Sequence, residues 1–499
     1  MKEGYGGEFR YMPFLLLLVV TFTSLPGKWP APPDWLGPAG SALLTLFGIV
    51  LLVSLAGLMS RQLSRDLVSH PDNRSLLVRR YAARRFYLSC FLLLFYLGAL
   101  YFLGWGATVR SLIFFGVSGP PGIELLLLAP LVGALLGCWA LFYPVDRAIH
   151  LTGKAEALPF PGRFSYVLVQ AQHNLILAVP LLLLMIVQQV VLRSLPGLDE
   201  EVVAPLLSLG LLFLFFPMLP WVLRLLLRLK PLPAGPLRDR LLASARRLHF
   251  RCNDIWLWKT GNGIANAMVT GISPWLRYIV VTDRLVTDLT PDEVEAVFGH
   301  EVGHIKHHHP LYYLVFLLAS MGALIGVLLA TGLVTAEESS SAAQDVAAQL
   351  PLLLILIGYV FVVFGFLSRR CERQADIYGC RAVSCAAASC SGHDGSTVLV
   401  PRARGLCATG IQHFISALEK VARVNGISRD KPGWLSSWLH STIALRVEFL
   451  QRMCSDPHVE PRFQRRLVLV KWGLLLGLGA VFLTVILVVG PGKLLGSFG

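Results

Sequence analysis

Two histidines and an acid pose the first chemical question. They stand in the run His300-Glu301-Val302-Gly303-His304. Residues four apart on a helix share a face, so both imidazoles can reach one ion at about 2.0–2.1 Å. Glu301, next to the first histidine, is placed to take a proton from a water activated at that ion. The chemistry implied is metal-assisted hydrolysis. A catalytic zinc usually has three protein ligands, so one is still missing. A metzincin would supply a histidine six residues after His304, but Pro310 occupies that place. His307, His308 and His309 read as a polar interfacial cluster rather than as an extra metal site. A better source is Ser368-Arg369-Arg370-Cys371-Glu372-Arg373-Gln374-Ala375-Asp376. Glu372 and Asp376 are four apart, so one carboxylate can bind the ion while the other supports a ligand histidine. Taken alone, that stretch reads more readily as an exposed helix with its acids in ion pairs.

The elements that must position these groups are legible nearby. Thr290-Pro291-Asp292-Glu293 combines a threonine cap, proline at the first helical position and an acid at the third, a helix start with a capping box. The spacing predicts a helix from there to Pro310. Residues 264–271 and 277–283 are rich in β-branched residues and predict strands. An extended substrate can add to a sheet edge near Asn266 and Ala267, pairing by its backbone; Asn266 also reads as a plain turn residue. Cys380, Cys385, Cys390, His393 and Cys407 form a looser group whose gaps fit zinc spacings poorly, and they read as reduced thiols.

The chain that carries these motifs has 499 residues, 55% of them hydrophobic and only 15% charged. Its apolar residues fall in long runs. Spanning about 30 Å of hydrocarbon takes about 20 such residues, and runs suit this at 12–26, 38–59, 86–105, 122–143, 174–192, 204–227, 311–333, 350–368 and 468–489. The first is short and is read as retained. Polar groups around the fifth run (Gln170, Gln172, His173, Asn174, Gln188 and Gln189) read as interfacial. The expectation is a mainly α, polytopic membrane protein of about nine spans, with an α+β zincin-like peptidase domain and a small sheet. Its parts are a membrane domain over 1–227, peptidase segments at 228–310 and 369–467 around a helix pair at 311–368, and a final span and tail over 468–499. Arg61, Arg65, Arg74, Arg79, Arg80, Arg84 and Arg85 crowd the loop after the second run, while acids follow the fifth and seventh. That bias orients both peptidase segments to the cytoplasm. The net charge of +14 follows these loops, and no nucleic-acid motif accompanies it. Nucleic acid is set aside as a partner.

With HEVGH, two intervening spans and then SRRCERQAD, the chain resembles the M48 membrane metallopeptidases, which include HtpX-type and Ste24-type proteases. The resemblance covers roughly residues 235–455. Asn266-Ala267-Met268-Val269-Thr270-Gly271 is similar to the family's Asn-Ala segment, and Arg277–Asp283 to the strand before its active-site helix. His440-Ser441-Thr442-Ile443-Ala444-Leu445-Arg446 is similar to its His…Arg element, with Ser441 where proline is common. The resemblance implies Glu372 as third zinc ligand, Asp376 as its supporting partner, and His440 and Arg446 in the cleft, His440 beside the developing oxyanion. Read as residues alone, His440 is also a surface histidine and Arg446 an ion-pair partner. Together these readings lead us to expect an integral-membrane zinc metalloendopeptidase, with one zinc per chain, Glu301 as general base, and membrane-associated or misfolded polypeptides as substrates. A processing protease of CaaX type is the alternative, and a non-catalytic scaffold or transporter is a lesser one.

Overall fold

The computed structural model describes residues 16, 30–111, 122–151, 160–176, 178–194, 200–261, 263–271, 273–331, 355, 358–384, 406–425, 427–430, 440–456 and 458–489. Chain contacts divide it into two units, Met1–Phe216 with Ser339–Ala347 and Pro217–Glu338 with Ala348–Gly499.

Apolar runs become helices in the first unit because a helix satisfies every internal backbone group without water. They are α1 (Gly37–Ser69), α2 (Arg74–Tyr101), α3 (Trp105–Ser111), α4 (Gly122–Leu151), α5 (Arg163–Leu175) and α6 (Ala178–Ser194), followed by α7 (Glu200–Leu226), which runs across the division. Leu92, Tyr96, Leu131 and Trp139 are buried in its core. Two expectations fail here. Arg85 is no loop cation: it is 3% exposed and pairs with Asp146 Oδ2 at 2.8 Å. It also donates to the Tyr81 hydroxyl at 3.1 Å and to Gln170 Oε1 at 3.5 Å, while the Tyr166 hydroxyl donates to the same Asp146 oxygen. Gln172 and Asn174 are buried as well, not interfacial. They lie just before a 65° bend between α5 and α6, which makes that end of α5 internal.

The second unit holds a four-stranded sheet of β1 (Lys230–Pro231), β2 (Asp254–Trp258), β3 (Ala267–Thr270) and β4 (Tyr278–Thr282), in the order β1-β2-β4-β3. β2 and β4 are parallel, with Trp256 opposite Val280. β3 is antiparallel to β4, with Ala267 opposite Val281, and forms an edge. Both predicted strands are found, each shorter than the sequence suggested. At β3 the chain turns away at Gly271, whose φ is +99°; a Cβ there would lie 2.5 Å from the Leu276 carbonyl.

Against the sheet pack α8 (Pro236–Arg247), α9 (Asp283–Asp288) and α10 (Pro291–Lys306), burying Leu241, Ile255, Ile279, Val281, Phe298 and Val302 together. The remaining helices are α11 (His309–Thr331), α12 (Gly365–Ala382), α13 (Ala408–Val424), α14 (Ile443–Ser455) and α15 (Val459–Val489). Ile377, Phe414, Ile415, Val447 and Leu450 join α12, α13 and α14 in a second core.

The described residues account for only some of the nine expected spans. Among the described residues four helices are long and apolar enough to cross a membrane, Gly37–Ser69, Leu76–Tyr101, Leu125–Leu151 and Val459–Val488, or five if the bent pair counts as one. The runs at 204–227 and 311–333 fall in α7 and in α11, whose range is His309–Thr331; within them Pro217–Leu226 and His309–Ser320 are shorter apolar stretches. All of the first run but Leu16, and the start of 350–368, lie outside the described residues.

Candidate metal centre

The helix carrying the first motif starts as its sequence dictates. Thr290 accepts from the Glu293 N–H at 3.3 Å, and Glu293 returns the bond to the Thr290 N–H at 2.8 Å. The other Glu293 contacts, Ser416 Oγ at 2.7 Å and Lys420 Nζ at 2.9 Å, tie this helix start to α13. They hold its carboxyl below the usual range although burial pushes the other way.

Helix α10 then lies unusually close to α12. A Cβ on Gly299 would sit 2.2 Å from Ala382 Cβ and 3.2 Å from Gly379 Cα, and one on Gly303 would sit 2.8 Å from Tyr378 Cβ. Glycine at both positions permits the approach, and the approach brings Glu372 to the two histidines. His300 Nε2 and His304 Nε2 are 3.2 Å apart. Glu372 lies 3.8 Å from the first through Oε2 and 3.5 Å from the second through Oε1. In a tetrahedron with bonds of about 2.0–2.1 Å, neighbouring donors are roughly 3.3–3.4 Å apart. The two nitrogens are close to that spacing, each has a different Glu372 oxygen nearby, and one donor atom from each residue lies within 4.8 Å of the other two; two nitrogens and a carboxylate are a zinc-type donor set. The residues therefore fit a metal. They are the one such group among the described residues. Cys380 and Cys407 are buried free thiols, whereas Cys385, Cys390 and His393 lie outside the described residues.

Asp376 is 0% exposed, with Oδ1 3.0 Å from His300 Nδ1. It receives Arg446 through Nε at 2.8 Å and through Nη2. Burial opposes ionisation of Asp376, but Arg446 and His300 outweigh it and lower its pKa. Glu372 is also buried, and His440, His304 and Arg446 together keep it well below the carboxylate range. His440 Nδ1 stands 3.1 Å from Glu372 Oε2 and Arg446 Nη1 3.6 Å from it. Burial lowers His304 to about 4, so it stays neutral with a lone pair free to ligate. Burial raises the Glu301 carboxyl to about 7, into a base's working range, although the neighbouring His300 pulls the other way.

Asn266 and Ala267, expected on the substrate side, sit at the sheet edge. Asn266 is exposed and its backbone is tied to Thr282, its N–H donating to Oγ1 at 2.9 Å and its carbonyl accepting from the Thr282 N–H at 3.0 Å. The Val269 backbone of β3 is near enough to the Glu301 carboxylate to favour its ionised form. Asn425, which the sequence reading passed over, pins this edge: its Oδ1 accepts from the Ala265 N–H at 2.9 Å and its Nδ2 donates to the Ala265 carbonyl at 2.6 Å. In sequence it shows only as an asparagine closing a helix. His309 and Gln374 were missed too. Their signal was only their nearness to His304 and Glu372.

Residues 232–431, which include His300, Glu301, His304, Glu372 and Asp376, match the family model described as Peptidase family M48. The chain is 32% identical over 122 residues to a Protease HtpX homolog of Methanocaldococcus jannaschii, 23% of this chain and 42% of that relative. It is 31% identical over 160 residues to a CAAX prenyl protease 1 homolog of Dictyostelium discoideum, 28% of this chain and 36% of that one. The matches thus span less than half the length of these relatives. The crystal structure of S. mikatae Ste24p has the same fold at a TM-score of 0.51 and 16% identity, covering 84% of this chain and 99% of that one. The apolar helices and this kinship make the protein an integral membrane protein.

Proposed function

We propose that the chain is a zinc metalloendopeptidase that hydrolyses peptide bonds of membrane-associated or misfolded polypeptides, with its site on the cytoplasmic side. The donor triangle of His300, His304 and Glu372 carries this reading. A zinc ion held there would polarise the scissile carbonyl and ease deprotonation of water. Glu301 removes the proton of the attacking water and passes it to the leaving amine. An extended substrate pairs with the free edge of β3, the strand whose Val269 backbone lies near Glu301. Asp376 and Arg446 keep the first ligand histidine in place. His440, half-exposed and tethered to Glu372, steadies the oxyanion.

The test uses the purified full chain with zinc. Glu301→Gln should keep its zinc and lose about 10²–10⁴-fold in cleavage; undiminished cleavage refutes the assignment. CAAX prenyl protease relatives from Dictyostelium discoideum and Saccharomyces cerevisiae favour a second reading, a processing protease for lipidated C-terminal peptides. Preference for a prenylated peptide over its unmodified twin would select it.

A further inference from the structure

The two ligand histidines are supported differently, and the support of His304 belongs to no motif. His300 rests on the Asp376 carboxylate, one of the usual partners of a ligand imidazole. His304 rests on another imidazole: its Nδ1 is 3.0 Å from His309 Nδ1. His309 is 0% exposed, and its Nε2 is 2.9 Å from Gln374 Oε1. Gln374 Oε1 also accepts from Lys471 Nζ at 3.2 Å, and Gln374 Nε2 donates to Gln464 Oε1 at 2.5 Å.

Every proton in this row has one consistent place. The Nε2 of His304 faces His300 and Glu372, so its lone pair is the one available to a metal and its proton sits on Nδ1. His309 must then accept at Nδ1, which puts its own proton on Nε2, facing the glutamine oxygen. A lysine reaching the same oxygen fixes the amide the same way round. The turn that delivers His309 is itself unusual. Between α10 and α11 the chain passes through His308 at a φ of +53°, a left-handed conformation that is costly for a residue with a side chain. Such a cost is kept where the arrangement it produces is needed.

We infer that His309 is a positioning residue for the metal centre, fixing the tautomer and ring plane of His304, and that Gln374 and Lys471 hold it from behind. This inference rests on the reading of His300, His304 and Glu372 as metal ligands. It also gives α15 a part in the site, since Lys471 belongs to that helix and its carbonyl accepts from the Tyr312 hydroxyl of α11 at 2.8 Å.

The experiment is zinc affinity of the full-length protein by chelator competition, with the visible spectrum of the cobalt(II)-loaded form and thermal unfolding of the metal-free form alongside. His309→Phe keeps a ring but no acceptor; it should weaken zinc about 10- to 100-fold and change the cobalt spectrum, while the metal-free protein melts as the parent does. His309→Asn, which restores an acceptor near Nδ1, should recover most of the affinity. Should His309→Phe fail to fold, Gln374→Leu takes its place, with a loss of under about tenfold expected. Parental zinc affinity in His309→Phe, or in Gln374→Leu where that variant is used, or equal losses in the Phe and Asn variants, would overturn the inference. His300→Ala separates the two ideas: if it keeps parental affinity the ligand reading itself fails, and if it alone loses zinc only the role of His309 falls.

Discussion

Arg85–Asp146 and Arg446–Asp376 are the same two residue types, each pair withdrawn from water, and they are completed differently. In the first unit Asp146 takes a tyrosine hydroxyl besides its arginine, and Arg85 turns to Tyr81 and Gln170 with its guanidinium 4.8 Å from the Phe142 ring centre. The groups named there beside the ion pair are neutral. In the second unit Asp376 holds both arms of Arg446 and still faces His300 Nδ1, while Arg446 reaches towards Glu372. The contrast teaches that a buried ion pair is not informative by its charges. What its spare atoms face decides whether it braces helices or aims a ligand.

The largest effect tests the likeness. Removing one partner strands the other charge, so Arg85→Ala and Arg446→Ala should each cost about 3–5 kcal/mol in denaturant unfolding of the metal-free chain; a loss under about 1 kcal/mol in either would end the comparison. The next tests the difference. Asp376→Asn should weaken zinc about 10- to 100-fold, whereas Asp146→Asn should leave zinc affinity at the parental value, as read by chelator competition. Equal effects would mean that both pairs serve the metal.

A smaller effect concerns Glu301, a carboxylate of the same site with no ion-pair partner among the described contacts. Burial raises it to about 7 in the metal-free fold, against about 4.3 in an unfolded chain. The folded state therefore holds the proton more tightly, and stability falls as pH climbs between those values. Metal-free Glu301→Gln escapes that loss. It should melt above the metal-free parent at about pH 8 and level with it below about pH 4; a constant gap across pH would show that ionisation is not the cause. With the native chain, cleavage should rise with pH through an acidic limb at or below about 7, because a bound cation stabilises the ionised base.

Much of this site was open to reading because its determinants are local. The capping box needs only Thr290 and Glu293, and the first ligand pair needs only a four-residue step. Glu372 was reachable because a second four-residue step, to Asp376, invited a supporting role. What stayed hidden depends on folding distant segments together. Asn425 meets Ala265 across 160 positions, and β2, with its run Ile255-Trp256-Leu257-Trp258, gains its meaning only from pairing parallel to β4. Arg85 was misplaced because charge bias assigns arginines to loops, and nothing near it in sequence announces Asp146. The bend between α5 and α6 was equally hidden, since apolar length alone does not say where a helix ends or bends.

The missing side chains at Gly299 and Gly303 have a consequence for which ions the protein can hold. Because two backbones rest nearly directly on one another there, the spacing of the two helices that carry the histidines and Glu372 is set by main chain. Calcium, which takes six to eight oxygens at about 2.3–2.6 Å, would need a wider and more crowded cradle than this spacing yields. Selection by size is thus written into positions that never touch the ion, and adding one methyl group at residue 303 would retune it.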